Sequence, residues 1–209
     1  MQYSTFAAID IGSYDVILEI FEISKKQGIR SVDKICHRME LGKDTYTLGK
    51  IRPEMEEELC RVLADFVRIM EGYRVDDYRA TASSAISEAS NSLYVLGKIH
   101  QLTGLSVTVL SNSEQRFLSY KALAAMEDNF NKIIEKGTAI LDLDGGSFQI
   151  SLFDKDALVT TQNIRMGSLR IRERLAGIQS ETEHYEEMVE ELIWNEVSVS
   201  YTHLRAQRL

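Results

Sequence analysis

The hydrophobic and polar positions follow the same order in two distant stretches of the chain. In residues 6–21 an apolar run ends at Asp10, a Gly-Ser pair follows, and a second, largely apolar run begins. In residues 138–153 an apolar run ends at Asp142, a Gly-Gly-Ser sequence follows shortly after, and the next residues alternate between apolar and polar. Each pattern predicts a strand, a tight turn and a second strand.

The spacing of the two patterns predicts a duplicated lobe. Asp10 and Asp142 are 132 residues apart (142 − 10), which is too far for a short repeat. We expect the two turns to face one cleft, with these carboxylates within about 10 Å of each other. Glycine turns leave N–H groups uncovered for a phosphate, and a carboxylate beside them can bind a divalent cation. The simpler alternative is two hairpins whose turns require glycine and whose polar residues are solvated.

The rest of the pattern alternates between strands and helices, which is typical of an α/β protein. Three strands are expected before residue 39, followed by a polar loop over residues 42–49. A helix is predicted to begin at Pro53, because proline suits the first turn of a helix, and its apolar residues repeat every three or four positions. A later helix, over residues 113–127, is expected to turn inward Phe117, Tyr120, Leu123 and Ala124.

The pattern weakens towards the end of the sequence. The last predicted helix covers about residues 182–196, and residues 197–209 contain no acidic residue and no clear period. A complete second lobe should need on the order of 100 residues, as domains usually do. We therefore expect a first lobe at residues 1–128 and an incomplete second lobe at 129–196. The final segment is expected to be a non-native or disordered tail, with a frayed native terminus as the alternative.

Composition excludes several classes of partner. The net charge of −8 argues against a nucleic acid held by bulk charge, and a polyphosphate would need local cations. No apolar run reaches the roughly 18–20 residues of a membrane span, and the N-terminus lacks the basic segment of a signal peptide. Cys36 and Cys60 are isolated, which suits a reducing compartment. We expect a cytoplasmic protein with no nucleic-acid or membrane partner.

Four further segments carry a recognisable order of motifs. They are residues 38–42 (RMELG), 83–91 (SSAISEASN), 111–114 (SNSE) and 166–171 (MGSLRI). Together with the two hairpins, they resemble the exopolyphosphatase and guanosine pentaphosphate phosphohydrolase family, Ppx/GppA, of the actin-like ATPase and sugar kinase superfamily. The resemblance implies a two-lobed ribonuclease H-like α/β fold, with mixed sheets flanked by helices.

The resemblance also implies a chemistry, namely a magnesium-dependent phosphohydrolase that removes terminal phosphate from inorganic polyphosphate or guanosine pentaphosphate. It makes Glu114 the catalytic carboxylate acting on the attacking water, although this residue also completes a helix-capping Ser-x-x-Glu box. Asp10 and Asp142 are expected to hold Mg²⁺, with capping of the turns as the alternative. The expected phosphate contacts are Gly12, Ser13, Arg38, Gly145, Gly146 and Ser147, with Arg165 and Arg170 as further positive charges.

Three positions depart from the family pattern. Ser87 stands where the family has an arginine, which removes a bidentate phosphate ligand. Gln149 replaces a glutamate, and Asp144 replaces the first glycine of Gly-Gly-Gly-Ser. Each change weakens catalysis, so we expect a weak hydrolase or none.

Two other functions stay open at this stage. One is a catalytically weak or inactive regulator that binds phosphate or guanosine polyphosphate in the same cleft. The other is an ATP-dependent kinase or actin-like ATPase, which explains the hairpins but not the four further segments. Homodimerisation is compatible with each of these functions.

Overall fold

The computed structural model describes residues 3–127, 129–176 and 184–206, and the chain divides into two compact units. The first unit is Met1–Ser111 and the second is Asn112–Leu209. None of the described helices is long and apolar enough to cross a membrane.

The first unit is a five-stranded mixed sheet covered by helices. Its strands lie in the order β3-β2-β1-β4-β5; β1, β2 and β3 are antiparallel neighbours, and β4 and β5 continue parallel to β1. In chain order its elements are β1 (Ser4–Ile11), β2 (Asp15–Ser24), β3 (Gly28–Arg38), α1 (Leu41–Leu48), α2 (Pro53–Tyr73), β4 (Asp77–Ala82), α3 (Ser84–Ser87), α4 (Ser92–Thr103) and β5 (Val107–Val109).

The core of this unit joins the sheet to the apolar face of α2. Helix α2 begins at Pro53, as predicted, and buries Leu59 and Phe66 of the predicted stripe. These side chains belong to one cluster with Ile9 and Leu18 of the sheet, which are almost completely buried. The sequence periodicity therefore identified the correct face of this helix.

The predicted loop over residues 42–49 is wrong, because these residues form α1. Its polar side chains misled the prediction, since two of them are buried with partners. The carboxylate of Asp44 accepts hydrogen bonds from Arg52, and the hydroxyl of Thr45 donates to the Ala85 carbonyl at 2.6 Å. Buried polar groups that are fully paired give no hydrophobic signal in a sequence.

The second unit is a three-stranded antiparallel sheet with four helices among the described residues. Its strand order is β6-β7-β8. In chain order its elements are α5 (Asn112–Met126), α6 (Phe130–Glu135), β6 (Thr138–Leu143), β7 (Phe148–Asp154), β8 (Ala157–Ile164), α7 (Ser168–Leu175) and α8 (Tyr185–Ala206).

Helix α8 differs from the sequence expectation at its end. The helix continues to Ala206, so residues 197–206 are helical and do not form the expected disordered tail. Its expected beginning near residue 182 lies outside the described residues.

Helix α5 belongs to the second unit, which moves the division of the chain from the expected 128/129 to 111/112. The Tyr120 ring packs edge-on against Phe153 of β7 with centroids 5.2 Å apart, and its hydroxyl donates to Ser151. The expected inward positions are otherwise wrong, since Phe117 and Leu123 are exposed. The sheet face opposite α5 is polar, so the helix turns polar residues towards it.

The two predicted hairpins have the same register. Asp10 of β1 pairs with Ile17 of β2, and Asp142 of β6 pairs with Gln149 of β7. Each pair is thus shifted by the same 132 residues. The structure confirms that the strand–turn–strand pattern occurs twice, once in each unit.

Candidate functional site

Both hairpins close with the same four-residue turn. The Gly12 N–H donates to the Asp15 carbonyl at 3.0 Å, and the Asp144 N–H donates to the Ser147 carbonyl at 2.9 Å. A Cβ on Gly12 would lie only 2.9 Å from the Asp15 oxygen, so glycine is required there. Asp144 is thus the structural counterpart of Gly12, and it brings a carboxylate to a turn that is bare in the first unit.

A small polar cavity lies beside the second turn, within the second unit. Its free volume is about 20 Å³, which is room for a water molecule or two, or a single ion. Its walls come from the start of α5, the turn and the adjoining ends of the strands. The lining residues are Asn112, Gln115, Arg116, Asp142, Asp144, Ser147, Gln149 and Asn163.

Helix α5 is held against this cavity by polar contacts. The Ser119 hydroxyl donates to Asp142 Oδ2 at 3.1 Å, and the Arg116 guanidinium donates to the Thr161 hydroxyl at 3.3 Å. Arg116 is half-buried, so its charge stands close to the cavity wall. The one cation that lines the cavity is therefore placed by a helix of the same unit.

Asp144 is the most perturbed acid of the cavity. Burial raises the pKa of its carboxyl group above the ordinary value of 3.8, and the nearby charge of Asp142 adds to this rise. Hydrogen bonds from the Gly145 N–H, at 2.6 Å, and from Gln115 act in the opposite direction. The Gly145 amide, an expected phosphate contact, is thus already bonded to this carboxylate.

Gln149 is a buried polar side chain that faces the same cavity. It is 7% exposed, and among the described residues its amide has no protein hydrogen bond. Across the ladder it is paired with Asp142. On the far strand, the Asn163 amide donates to the Ser147 hydroxyl at 3.2 Å.

These donors fit a hard divalent cation such as Mg²⁺. Carboxylate and amide oxygens are the groups that such cations prefer, and Mg²⁺ keeps several waters. The described residues contain no cluster of three or more His, Cys, Asp and Glu side chains. A cation here would therefore rest on Asp142 and Asp144, with Gln149, water and phosphate completing its shell.

The second turn is fixed from the other side by the start of α7. The Leu169 N–H donates to the Gly145 carbonyl at 3.0 Å, and Arg170 Nε donates to the Gly146 carbonyl at 2.6 Å. A Cβ on Gly167 would fall inside the Gly145 carbonyl group. The glycine and the arginine of this motif therefore hold the turn in place. The first unit repeats part of this arrangement, since Gly42 at the start of α1 donates to the carbonyl of its own turn.

The Ser13 hydroxyl of the first turn lies in a buried cluster. Ser13 is completely buried, and its Oγ is 2.7 Å from the Tyr46 hydroxyl and 3.2 Å from the Ser84 hydroxyl. Tyr46 and Ser84 are themselves 2.8 Å apart. An expected phosphate contact is therefore already engaged by two other hydroxyls.

The other expected site residues of the first unit lie at its surface. Asp10 is exposed at the end of β1. Arg38 is also exposed, stacks on the Tyr14 ring at 4.7 Å and pairs with Glu40 at 3.1 Å. Ser87, at the end of α3, is exposed and provides no charge there.

Glu114 occupies the third position of α5, which is where the Ser-x-x-Glu box predicts it. Its side chain is exposed, and the cavity lining does not include it. Its catalytic role stays a prediction.

Sequence reasoning missed two residues of the cavity, Arg116 and Asn163. Arg116 stands three positions before Ser119, so both lie on one face of α5, and this spacing was the available signal. Asn163 carried no signal, because only the pairing of β8 with β7 places it beside the turn.

Asn91, the last residue of the segment 83–91, has a structural role. Its amide accepts from the Ile51 N–H at 3.0 Å and donates to the Ile51 carbonyl at 2.8 Å. The asparagine thereby fixes the connection between α1 and α2.

Comparison with known proteins identifies the family. A sequence model described as the Ppx/GppA phosphatase family matches residues 19–207, which is most of the chain. The chain belongs to the Ppx/GppA phosphatase family. Among curated members of related sequence, Exopolyphosphatase 1 of Mycobacterium leprae is 25% identical over 144 residues, covering 68% of this chain and 41% of that protein. A bifunctional 3-dehydroquinate synthase/phosphatase of Fusobacterium nucleatum is 22% identical over 174 residues, covering 80% and 26%.

Solved structures show that this Ppx/GppA chain has the α/β actin-like fold of the family. An exopolyphosphatase from Cytophaga hutchinsonii aligns with a TM-score of 0.81 at 19% identity, covering 97% of this chain and 64% of that one. The Ppx/GppA protein of Aquifex aeolicus aligns with a TM-score of 0.70 at 23% identity, covering 95% and 63%. The chain thus spans less than two thirds of these structures and less than half of the curated relatives.

Proposed function

We propose that this chain carries a magnesium-dependent phosphohydrolase site of low activity, which acts on terminal phosphate of inorganic polyphosphate or guanosine pentaphosphate. The observation that supports it best is the small cavity of the second unit. There, Asp142 and Asp144 stand beside the buried amide of Gln149. A cation-sized space with hard oxygen donors is the part of a phosphoryl-transfer site that a protein must build.

In this proposal the residues have separate tasks. Mg²⁺ would be held by Asp142 and Asp144, and it would neutralise charge on the phosphate and lower the pKa of bound water. Asp10, from the first unit, is proposed as a further carboxylate for the same ion. Arg116 would bind a phosphate oxygen, and Glu114 would orient the attacking water.

Low activity is proposed because two expected groups are missing. Ser87 has no guanidinium, and a charge-assisted contact of that kind contributes roughly 1.5–3 kcal/mol. If this energy is expressed in the transition state, the rate falls about tenfold to a hundredfold. Gln149 faces the cavity as a neutral amide, so a cation there is held by one negative charge fewer than with glutamate.

A second function, a regulator that binds polyphosphate or guanosine polyphosphate without hydrolysis, is favoured by the same Gln149. A buried amide can complete the shell of a cation and leave the binding of phosphate intact. It cannot take up a proton from water as a carboxylate does.

The test combines calorimetric Mg²⁺ binding with an assay of phosphate release from polyphosphate, using the 209-residue chain. The variants are Asp142→Asn and Gln149→Glu, and Asp154→Asn at the exposed end of β7 is the matched control. We expect Mg²⁺ binding that Asp142→Asn weakens at least tenfold and Asp154→Asn leaves unchanged. Phosphate release should be slow, well below the typical enzyme rate of about 10 per second, and Gln149→Glu should increase it.

The outcomes separate the two functions. Binding of Mg²⁺ and polyphosphate without release, in both the wild-type chain and Gln149→Glu, would favour the regulator. Mg²⁺ binding that is insensitive to Asp142→Asn would contradict the proposed site.

A further inference from the structure

The turn of the first unit ends in three hydroxyl groups that contact one another. Ser13 lies in the turn, Tyr46 lies in α1, and Ser84 is the first residue of α3. Their oxygens are separated by 2.7, 2.8 and 3.2 Å, so each pair is within hydrogen-bond distance. Three separate elements thus bring one hydroxyl each to the same point.

This point lies at the edge of the sheet where ligands bind in α/β folds. Strands β1 and β4 are parallel neighbours, and both end there. The Ser83 N–H, directly after β4, donates to the carbonyl of Ile11, the last residue of β1, at 3.2 Å. The carboxyl ends of parallel strands are the usual place for a phosphate-bearing ligand. The hydroxyl cluster therefore stands where the first turn would meet a phosphate.

The protons of the cluster are used within it. Three hydroxyls have three protons, and three mutual contacts use all of them. Ser13 is completely buried. Its hydroxyl can therefore donate to a phosphate oxygen only if a neighbouring group moves and one internal contact is lost.

We propose that Tyr46 competes with phosphate for the Ser13 hydroxyl and thereby limits the affinity of the first turn. This inference rests on the proposed function, in which Ser13 contacts phosphate. Tyr46 is the member to remove, because its 2.7 Å contact with Ser13 is the shorter of the two that Ser13 makes. Without its hydroxyl, Ser13 and Ser84 share one contact between two protons, and one proton is free for the ligand.

The test measures binding of sodium tripolyphosphate to the 209-residue chain by titration calorimetry. The variant is Tyr46→Phe, which keeps the ring and removes only the hydroxyl. Tyr78→Phe is the matched control, since the Tyr78 hydroxyl accepts the Ser106 N–H at 3.0 Å and belongs to no such cluster. Ser13→Ala tests whether Ser13 contacts the ligand.

We expect Tyr46→Phe to bind tripolyphosphate about two- to tenfold more tightly, which is the equivalent of one ordinary hydrogen bond. Tyr78→Phe should bind like the wild-type chain, and Ser13→Ala should bind more weakly. The wild-type chain should also show a tyrosine difference absorption signal on binding, because the environment of the Tyr46 phenol changes. Tyr46→Phe should lose this signal, whereas Tyr78→Phe should keep it.

Several results would overturn the inference. Unchanged or weaker binding by Tyr46→Phe would show that the phenol does not compete, while the proposed function would stand. Unchanged binding by Ser13→Ala would also overturn it alone, since the ligand would then lie elsewhere. No binding of tripolyphosphate by any of the four proteins would overturn both the inference and the proposed function.

Discussion

At the scale of residues, the second turn is distinguished by a carboxylate where its counterpart has none. Asp144 occupies the position of Gly12, and its charge lies next to that of Asp142. Burial and this neighbour both favour the protonated acid, which raises its pKa. Asp144 in its ionised form therefore destabilises the fold in the absence of a cation, and a bound cation would relieve this cost.

This argument predicts a pH-dependent effect of Asp144→Asn. Because the folded pKa lies above the unfolded one, stability from this group is complete below about pH 4 and is lost as the pH rises through the folded pKa. With a chelator present, Asp144→Asn should therefore melt higher than the wild-type chain at pH 7. The difference should shrink towards about pH 4. Thermal melts across this range check it, with Asp154→Asn as the exposed control.

A lower melting temperature for Asp144→Asn at neutral pH would show that the carboxylate stabilises the turn. The hydrogen bond from the Gly145 N–H would then be worth more than the cost of burying the charge.

At the scale of elements, the turns depend on the helices that follow the third strand of each unit. The Gly145 carbonyl accepts from Leu169 in α7, and the Ser13 carbonyl accepts from Gly42 in α1. Both donors are the second residue of their helix. This shared contact explains why motifs far from the turns in sequence belong to the same site.

The close approach of α7 makes Gly167→Ala a test of this element. The added methyl group would fall inside the Gly145 carbonyl, so α7 or the turn must shift. We expect a loss of about 1–3 kcal/mol in the free energy of unfolding, as for other overpacked sites. Gly72→Ala near the end of α2 is the control, because its Cβ meets open space. It should stabilise the chain by roughly 0.5–1 kcal/mol.

Urea unfolding of both variants measures these changes. Equal effects of the two substitutions would mean that the turn and α7 are not packed as described.

At the scale of the whole molecule, the two units bury equivalent positions to very different extents. Ile9 and Ile11 of β1 are 1% and 0% exposed, whereas Leu141 and Leu143, 132 residues later, are 69% and 67% exposed. Burying a leucine contributes on the order of 2 kcal/mol. The second unit, as it stands in this chain, therefore lacks much of the stabilisation of the first.

We expect this difference to appear in hydrogen exchange of the full chain. Amides of β6 and β7 should exchange faster than those of β1 and β2, because local opening there exposes less additional apolar surface. Mass spectrometry of the exchanging chain resolves the two hairpins. Equal protection in both would show that the exposed leucines are covered in solution.

The sequence by itself determined most of the fold. Alternation and turn residues located both hairpins, and period and proline located α2, because these signals are local and the buried faces are apolar. It failed where the buried surface is polar. Residues 42–49 were expected to be a loop although Asp44 is buried, and α5 was expected to turn Phe117 inward.

Only the tertiary structure decided the composition of the site. The cavity brings together Asp142, Asp144, Gln149 and Asn163 through the pairing of three strands, and Arg116 through a helix packed beside them. The contact of Tyr46 with Ser13 likewise joins residues that lie 33 positions apart. A polar side chain looks the same in a sequence whether it is solvated or buried with a partner, and only the packing of elements separates the two.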